Sequence, residues 1–126
     1  MFSYCATVAH GVEGHDRRAA VDPATARDVA DTMQALAAPS RVRILARLRE
    51  GGCSVNELAG AVEMDPSAVS HQLRLLRHLG LVVGERSGRT VVYALHDSHV
   101  ADLIDQAVWH VEHLRLEIVD RREEVS

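Results

Sequence analysis

Ser54-Val55-Asn56-Glu57-Leu58-Ala59-Gly60-Ala61-Val62, followed by Asp65-Pro66-Ser67-Ala68-Val69-Ser70-His71-Gln72-Leu73-Arg74-Leu75-Leu76, is the stretch that decides the fold. Ser54-x-x-Glu57 reads as a capping box, in which each side chain satisfies the other residue's free backbone N–H at a helix start. It opens a short helix through about Val62. Asp65-Pro66 supplies an N-cap followed by proline at the first helical position, where its missing N–H costs nothing. That second helix runs to about Leu79, and Gly80 closes it. Val69, Leu73 and Leu76 make its inner stripe. Beyond it, Leu81-Val82-Val83 and Val91-Val92-Tyr93 are strand-like, with Ser87-Gly88 at the turn between them.

A short helix, a brief turn, a second helix and a basic-tipped hairpin spell a winged helix-turn-helix: a mainly α fold with a small β-hairpin. In such units the second helix enters the major groove of DNA. Ser67, Ser70, His71, Gln72 and Arg74 are left for outward contacts. Gln and Arg pair with adenine and guanine edges, and Ser suits phosphates or bases. Arg86 and Arg89 flank the hairpin turn, where a wing reaches the minor groove or the backbone. Each residue alone is equally at home on a solvated surface. The order of the elements tips the balance to DNA.

Upstream, residues 1–22 are polar and read as a flexible arm. From Pro23 the pattern is helical, with Val29, Met33, Leu36 and Ala37 at helical spacing, and Pro39 ends that helix. Ser40 is expected to cap the next, whose apolar positions are Val42, Ile44, Leu45 and Leu48; Gly51-Gly52 stop it. Downstream, a last helix over about 98–119 carries Val100, Ile104, Ala107, Val111, Leu114 and Ile118, which step by 4, 3, 4, 3, 4. That is a heptad seam for another helix. The expected domains are thus the arm (1–22), the winged unit with its dimerisation helix (23–119), and a tail (120–126).

Flanking this seam are Asp97-x-His99 and, after ten intervening residues, His110-x-x-His113. Carboxylate and imidazole are ligands for divalent transition metals. At ~1.5 Å rise per residue the two pairs lie ~16–21 Å apart, so no single ion joins them within one helix. In two helices packed antiparallel about a two-fold axis, the first pair of one meets the second pair of the other. The helix therefore reads as a homodimer interface that doubles as a metal site, with one ion per protomer.

The totals agree. The chain has 126 residues, enough for one domain with a modest core. No run approaches the ~18 apolar residues of a membrane span, so no membrane is expected. A signal-peptide pattern is lacking and Cys5 and Cys53 make no disulfide framework, so a cytoplasmic location is expected. The net charge of −4 is unevenly spread. Residues 41–93 carry eight Arg against five acids, or +3; residues 94–126 carry three Arg against eight acids, or −5. The DNA-facing part is basic and the metal-facing part acidic. All 14 basic residues are Arg, which genomic base composition explains more readily than selection for bidentate contacts.

Leu36-Ala37-Ala38-Pro39-Ser40-Arg41-Val42-Arg43-Ile44-Leu45, then Ser67-Ala68-Val69-Ser70-His71-Gln72-Leu73, then Leu79-Gly80-Leu81-Val82 resembles the ArsR/SmtB family of metal-responsive repressors over roughly residues 24–118. The arm Ala9-His10-Gly11-Val12-Glu13-Gly14 and the residues Asp97, His99, His110 and His113 are similar to the family's nickel/cobalt sensors. The resemblance implies a homodimer that holds a two-fold operator when metal-free and releases it when loaded.

In the family's soft-metal sensors, cysteines stand where this chain has Ser54 and Asn56. Cys53 lies one residue away without a partner nearby, and is expected to be a small buried or semi-buried residue. One carboxylate and three imidazoles complete a tetrahedral zinc site or supply four of six ligands to nickel or cobalt. His10 is the candidate for a further donor; His15 and His96 are other imidazoles at hand. Met1 and Val8 both stand as possible starts, and a start at Val8 would place an amino terminus at Ala9, beside His10. No histidine follows His113; Arg115, Arg121 and Arg122 occupy the tail. Nickel or cobalt is the expected effector and zinc the alternative. A repressor whose histidines only pack the interface is the further alternative. The chain has no general-base motif, phosphate loop or nucleophile constellation, and is not expected to be an enzyme.

Overall fold

The computed structural model describes residues 20–125. Contacts divide the chain after Ala30. In the first unit, Asp22 starts helix α1 (Pro23–Ala35): its Oδ1 accepts from the Thr25 N–H at 2.7 Å. That bond holds the Asp22 carboxyl below its usual range.

The second unit follows a fixed order: α2 (Pro39–Arg49), α3 (Val55–Val62), α4 (Pro66–His78), β1 (Val82–Ser87), β2 (Thr90–Leu95) and α5 (Ser98–Val125). This is the winged helix-turn-helix expected from the sequence. The capping box of α3 is complete, with Glu57 N–H donating to Ser54 Oγ at 3.2 Å and Ser54 N–H to Glu57 Oε1 at 2.9 Å. Glu63 ends α3 in the left-handed region at φ 55°. Proline opens both α2 and α4. Gly80, at φ 76°, turns the chain out of α4 where a Cβ would be strained.

Two boundaries differ from expectation. Pro39 is the first residue of α2, and its N-cap is Ala38, which makes no side-chain bond. Ser40, expected as that cap, lies inside the helix; proline's preset φ starts the helix without help. The hairpin turn is Gly88-Arg89, one residue later than expected, because Ser87 pairs with Thr90 in the antiparallel ladder. Gly88 supplies the positive φ of 64° that the two-residue turn needs.

Ile44, Leu45, Leu58, Val69, Leu73 and Leu76 are fully buried and bring α2, α3 and α4 into one core. Val82 closes it from β1, Val100 and Ile104 from α5. Cys53 is buried at 1% exposure and bridges to Tyr93 by a backbone pair, as a small core residue should. Of the heptad seam, only Val100 and Ile104 are buried. From Gln106 to Glu124 every residue of α5 is exposed, including Val111, Leu114 and Ile118. The helix continues beyond residue 119 to Val125, 28 residues in all, or ~42 Å. Among the described residues no helix is long and apolar enough to cross a membrane.

Leu73→Ala should cost ~2–5 kcal/mol of unfolding free energy in urea titrations, because a fully buried leucine leaves a cavity among α2, α3 and α4. The Glu57 carboxyl is held below its usual range, chiefly by the Ser54 backbone N–H. A carboxyl with a depressed folded value stabilises when ionised and loses that contribution as pH falls through it. Glu57→Gln should therefore be less stable than the parent at neutral pH. The gap should close as pH drops below the ordinary glutamate value of ~4.3, and thermal melts across that range would show it.

Candidate nucleic-acid interface and metal-ligand helix

Helix α4 is positioned by its buried stripe of Val69, Leu73 and Leu76. Its opposite face presents Ser67, His71 and Arg74 to solvent, while Ser70 is half-buried. Ser67 Oγ donates to the Asp65 carboxylate at 2.6 Å, which tightens the first turn. Gln72 is placed differently from the other outward candidates. It is half-buried, its Nε2 donates to Ser40 Oγ at 3.0 Å, and Ser40 Oγ donates back to Gln72 Oε1 at 3.2 Å. No pattern in the sequence pointed to that bond, because the two residues are 32 positions apart. Arg86 and Arg89 are both exposed, on β1 and in the turn of the wing. The exposed polar groups of α4 and the two wing arginines thus offer hydrogen-bond donors for base edges and phosphates.

At the other end of the unit, Asp97 is the residue before α5. Its Oδ1 accepts from the Val100 N–H at 3.2 Å, so it caps the helix. Its Oδ2 lies 3.2 Å from His96 Nδ1 and 3.4 Å from His99 Nδ1. The bond from His96 first, then that from Val100, holds the Asp97 carboxyl below its usual range, so it is an anion with two imidazoles beside it. His99 is 89% exposed. His110 is exposed, and His113 pairs through Nε2 with Glu117 Oε1 at 3.1 Å, one turn along the helix. Glu117 was not among the sequence candidates, although its i,i+4 spacing from His113 was there to read. Asp97 and His99 stand together; His110 and His113 stand apart from them along the same helix. Among the described residues of one chain, no three potential ligands converge closely enough to hold an ion. His10, His15 and Cys5 lie outside the described residues.

Helix α5 is fastened to α2 between these two ligand pairs. Arg49 Nε lies 3.2 Å from both oxygens of Asp105, and its Nη2 3.1 Å from Oδ2. Further along, Val42 of α2 and Ala107, Val108, Val111, Glu112 and Arg115 of α5 line an open groove of about 370 Å³.

Comparison with known proteins agrees with this geometry. Residues 38–83 match the model of the bacterial regulatory protein, arsR family. The chain is 58% identical over 113 residues to the HTH-type transcriptional regulator NmtR of Mycobacterium tuberculosis, which covers 89% of this chain and 94% of that protein. It is 44% identical over 80 residues to the HTH-type transcriptional repressor SmtB of the same species, covering 64% and 59%. Among solved structures, the solution structure of apo-NmtR superposes with a TM-score of 0.65 at 58% identity over 82% of this chain and 88% of that one. The homodimeric winged helix-turn-helix DNA-binding domain Mb0332 of Mycobacterium bovis gives 0.68 at 32% identity over 82% and 94%. The chain belongs to the ArsR family of bacterial DNA-binding transcriptional regulators.

Proposed function

We propose that the chain acts as a homodimeric, metal-responsive repressor that holds a two-fold operator when metal-free and releases it on taking up nickel or cobalt. The observation that carries this reading is on α5. An ionised Asp97 with His99 beside it stands at the helix start, His110 and His113 stand in its exposed half, and the apolar seam beyond Ile104 is uncovered in a single chain. A second copy packed antiparallel on that seam covers Val111, Leu114 and Ile118. The same packing brings Asp97 and His99 of each chain to the His110 and His113 of the other.

The donor set fits such an ion in kind: one carboxylate and three imidazoles per site, all reachable from solvent. A six-coordinate nickel or cobalt ion takes further donors, and His10 in the arm is the proposed source. Zinc is the second reading, favoured by the tail, where Arg115, Arg121 and Arg122 bring no further imidazole and the four donors already complete a tetrahedron. With the four donors engaged, the start of α5 in one protomer is tied to its end in the other. The angle between protomers is then fixed, and the recognition helices are held off the half-site spacing that DNA needs. A tenfold loss of operator affinity requires only ~1.4 kcal/mol of coupling, within the ~1–3 kcal/mol typical of allosteric proteins.

On DNA, α4 enters the major groove, with Ser67, Ser70, His71 and Arg74 towards bases and phosphates. Arg86 and Arg89 reach the flanking backbone or minor groove from the wing.

The deciding experiment is a cobalt(II) titration of the apo-protein followed in the visible range. One ion per protomer with weak absorbance supports five or six ligands and the nickel/cobalt reading; intense bands indicate four ligands and zinc. Absence of binding overturns the sensing reading altogether. On a dyad duplex selected from random sequence by the apo-protein, His110→Ala with His113→Ala should bind as tightly as the parent and no longer be released by metal. Arg74→Ala should cost ~1–3 kcal/mol and relax the preference at one base pair. Arg86→Ala should instead weaken all sequences alike and lower the salt slope of log Kd by about 1.

A further inference from the structure

Helix α2 is joined by side-chain bonds at both of its ends, and to two different functional elements. At its C-terminal end, the planar guanidinium of Arg49 meets both carboxylate oxygens of Asp105 on α5 at 3.1–3.2 Å. A fork on a carboxylate fixes direction as well as distance. Asp105 lies between the two ligand pairs, six residues after His99 and five before His110. At its N-terminal end, Ser40 exchanges two hydrogen bonds with Gln72 at 3.0 and 3.2 Å, and Gln72 sits on α4 next to His71. Either orientation of the Gln72 amide keeps this pair, since the serine hydroxyl both donates and accepts.

Between these joints α2 is stiff. Ile44, Leu45 and Leu48 are 0–3% exposed in the core, so its ends, nine residues and ~14 Å apart, cannot move independently. A shift of α5 felt at Asp105 is therefore delivered at Ser40.

We propose that helix α2 links the metal-binding helix to the recognition helix, with Arg49–Asp105 and Ser40–Gln72 as its two joints. Gln72 is then a positioning residue, which sets how α4 sits against α2, and the reading of bases falls to its exposed neighbours. This inference rests on the metal-release reading above. It stands against a rival route through the wing, where β2 runs directly into Asp97 and α5. The rival makes both side-chain joints irrelevant to release.

The test uses the full chain, nickel(II) and the selected dyad duplex. The quantity read is the release factor, the ratio of operator Kd with and without nickel. Asp105→Asn and Arg49→Gln should each keep the apo operator Kd within about threefold of the parent and one nickel per protomer, while Ser40→Ala, which loosens the seat of α4, is compared by its release factor. The release factor, at least tenfold in the parent, should fall below about threefold in each. Arg49→Gln removes the same bond as Asp105→Asn from the opposite charge, so a matching loss in both assigns the effect to the bond. The Ser40→Ala, Asp105→Asn double variant should fall no further than either single one, since two joints in series fail together. Parental release factors in the variants, or losses that multiply in the double, overturn the inference and leave the sensing reading standing. A parent protein that binds nickel but keeps its operator overturns both. Should Ser40→Ala also weaken apo binding, Asp105→Asn, which lies on α5 away from α4, decides the matter by itself.

Discussion

The shared core into which α2, α3 and α4 pack is the constraint on which the rest of residues 31–125 depends. Ile44, Leu45 and Leu48 on α2 and Val69, Leu73 and Leu76 on α4 are 0–3% exposed. Burying six such side chains is a large share of what a unit of this size can bury. The short helix α3 adds Leu58 and Val62 to the same cluster, and its capping box stabilises a start that eight residues could not hold by themselves. Because the stripe of α4 is consumed in this core, its other face is delivered to solvent in one orientation. The DNA-facing surface is thus a by-product of core packing, and the polar residues on it need no fold-specific reason of their own.

The second constraint is that α5 is longer than the core it rests on. Val100 and Ile104 dock; Val111, Leu114 and Ile118, continuing the same seam, do not. A row of exposed apolar side chains along several turns, beside an open groove lined by Val42, is not a comfortable surface for a monomer in water. The solved relative described as a homodimer has the same fold. Antiparallel pairing of this overhang is what gives the separated ligand pairs a common meaning in the proposed function. Without it they are two unrelated groups of exposed side chains.

Charge follows the same division. The arginine excess falls on the segment that carries the helix-turn-helix and the wing, and the acidic excess on α5. The ion pairs on α5 are solvent-exposed, and each adds little to stability. Their interest lies in orientation: Arg49 holds Asp105, Glu117 holds His113, and His96 flanks Asp97. Two of these three partners follow from spacing along one segment. The Arg49–Asp105 pair spans 56 residues and follows from nothing local.

What the sequence by itself determined is everything written in local periodicity and caps. The capping box at Ser54 and Glu57, the Asp65-Pro66 start, Gly80 after α4, the inner stripe of α4 and the burial of Cys53 were all legible. Each depends on residues a few positions apart, or on a residue type that seldom stays in water. Tertiary structure alone decided how far the heptad seam is covered, that Gln72 turns to Ser40, and that Arg49 grips Asp105. A period in sequence says which side chains share a face; it does not say which length of that face finds a neighbour. Likewise a hydrogen-bond donor on a helix surface has no preferred partner until packing brings one within ~3 Å. The start of α2, by contrast, was local: proline's fixed φ opens the helix at Pro39, and only packing decided that the serine that looked like its cap bonds to Gln72.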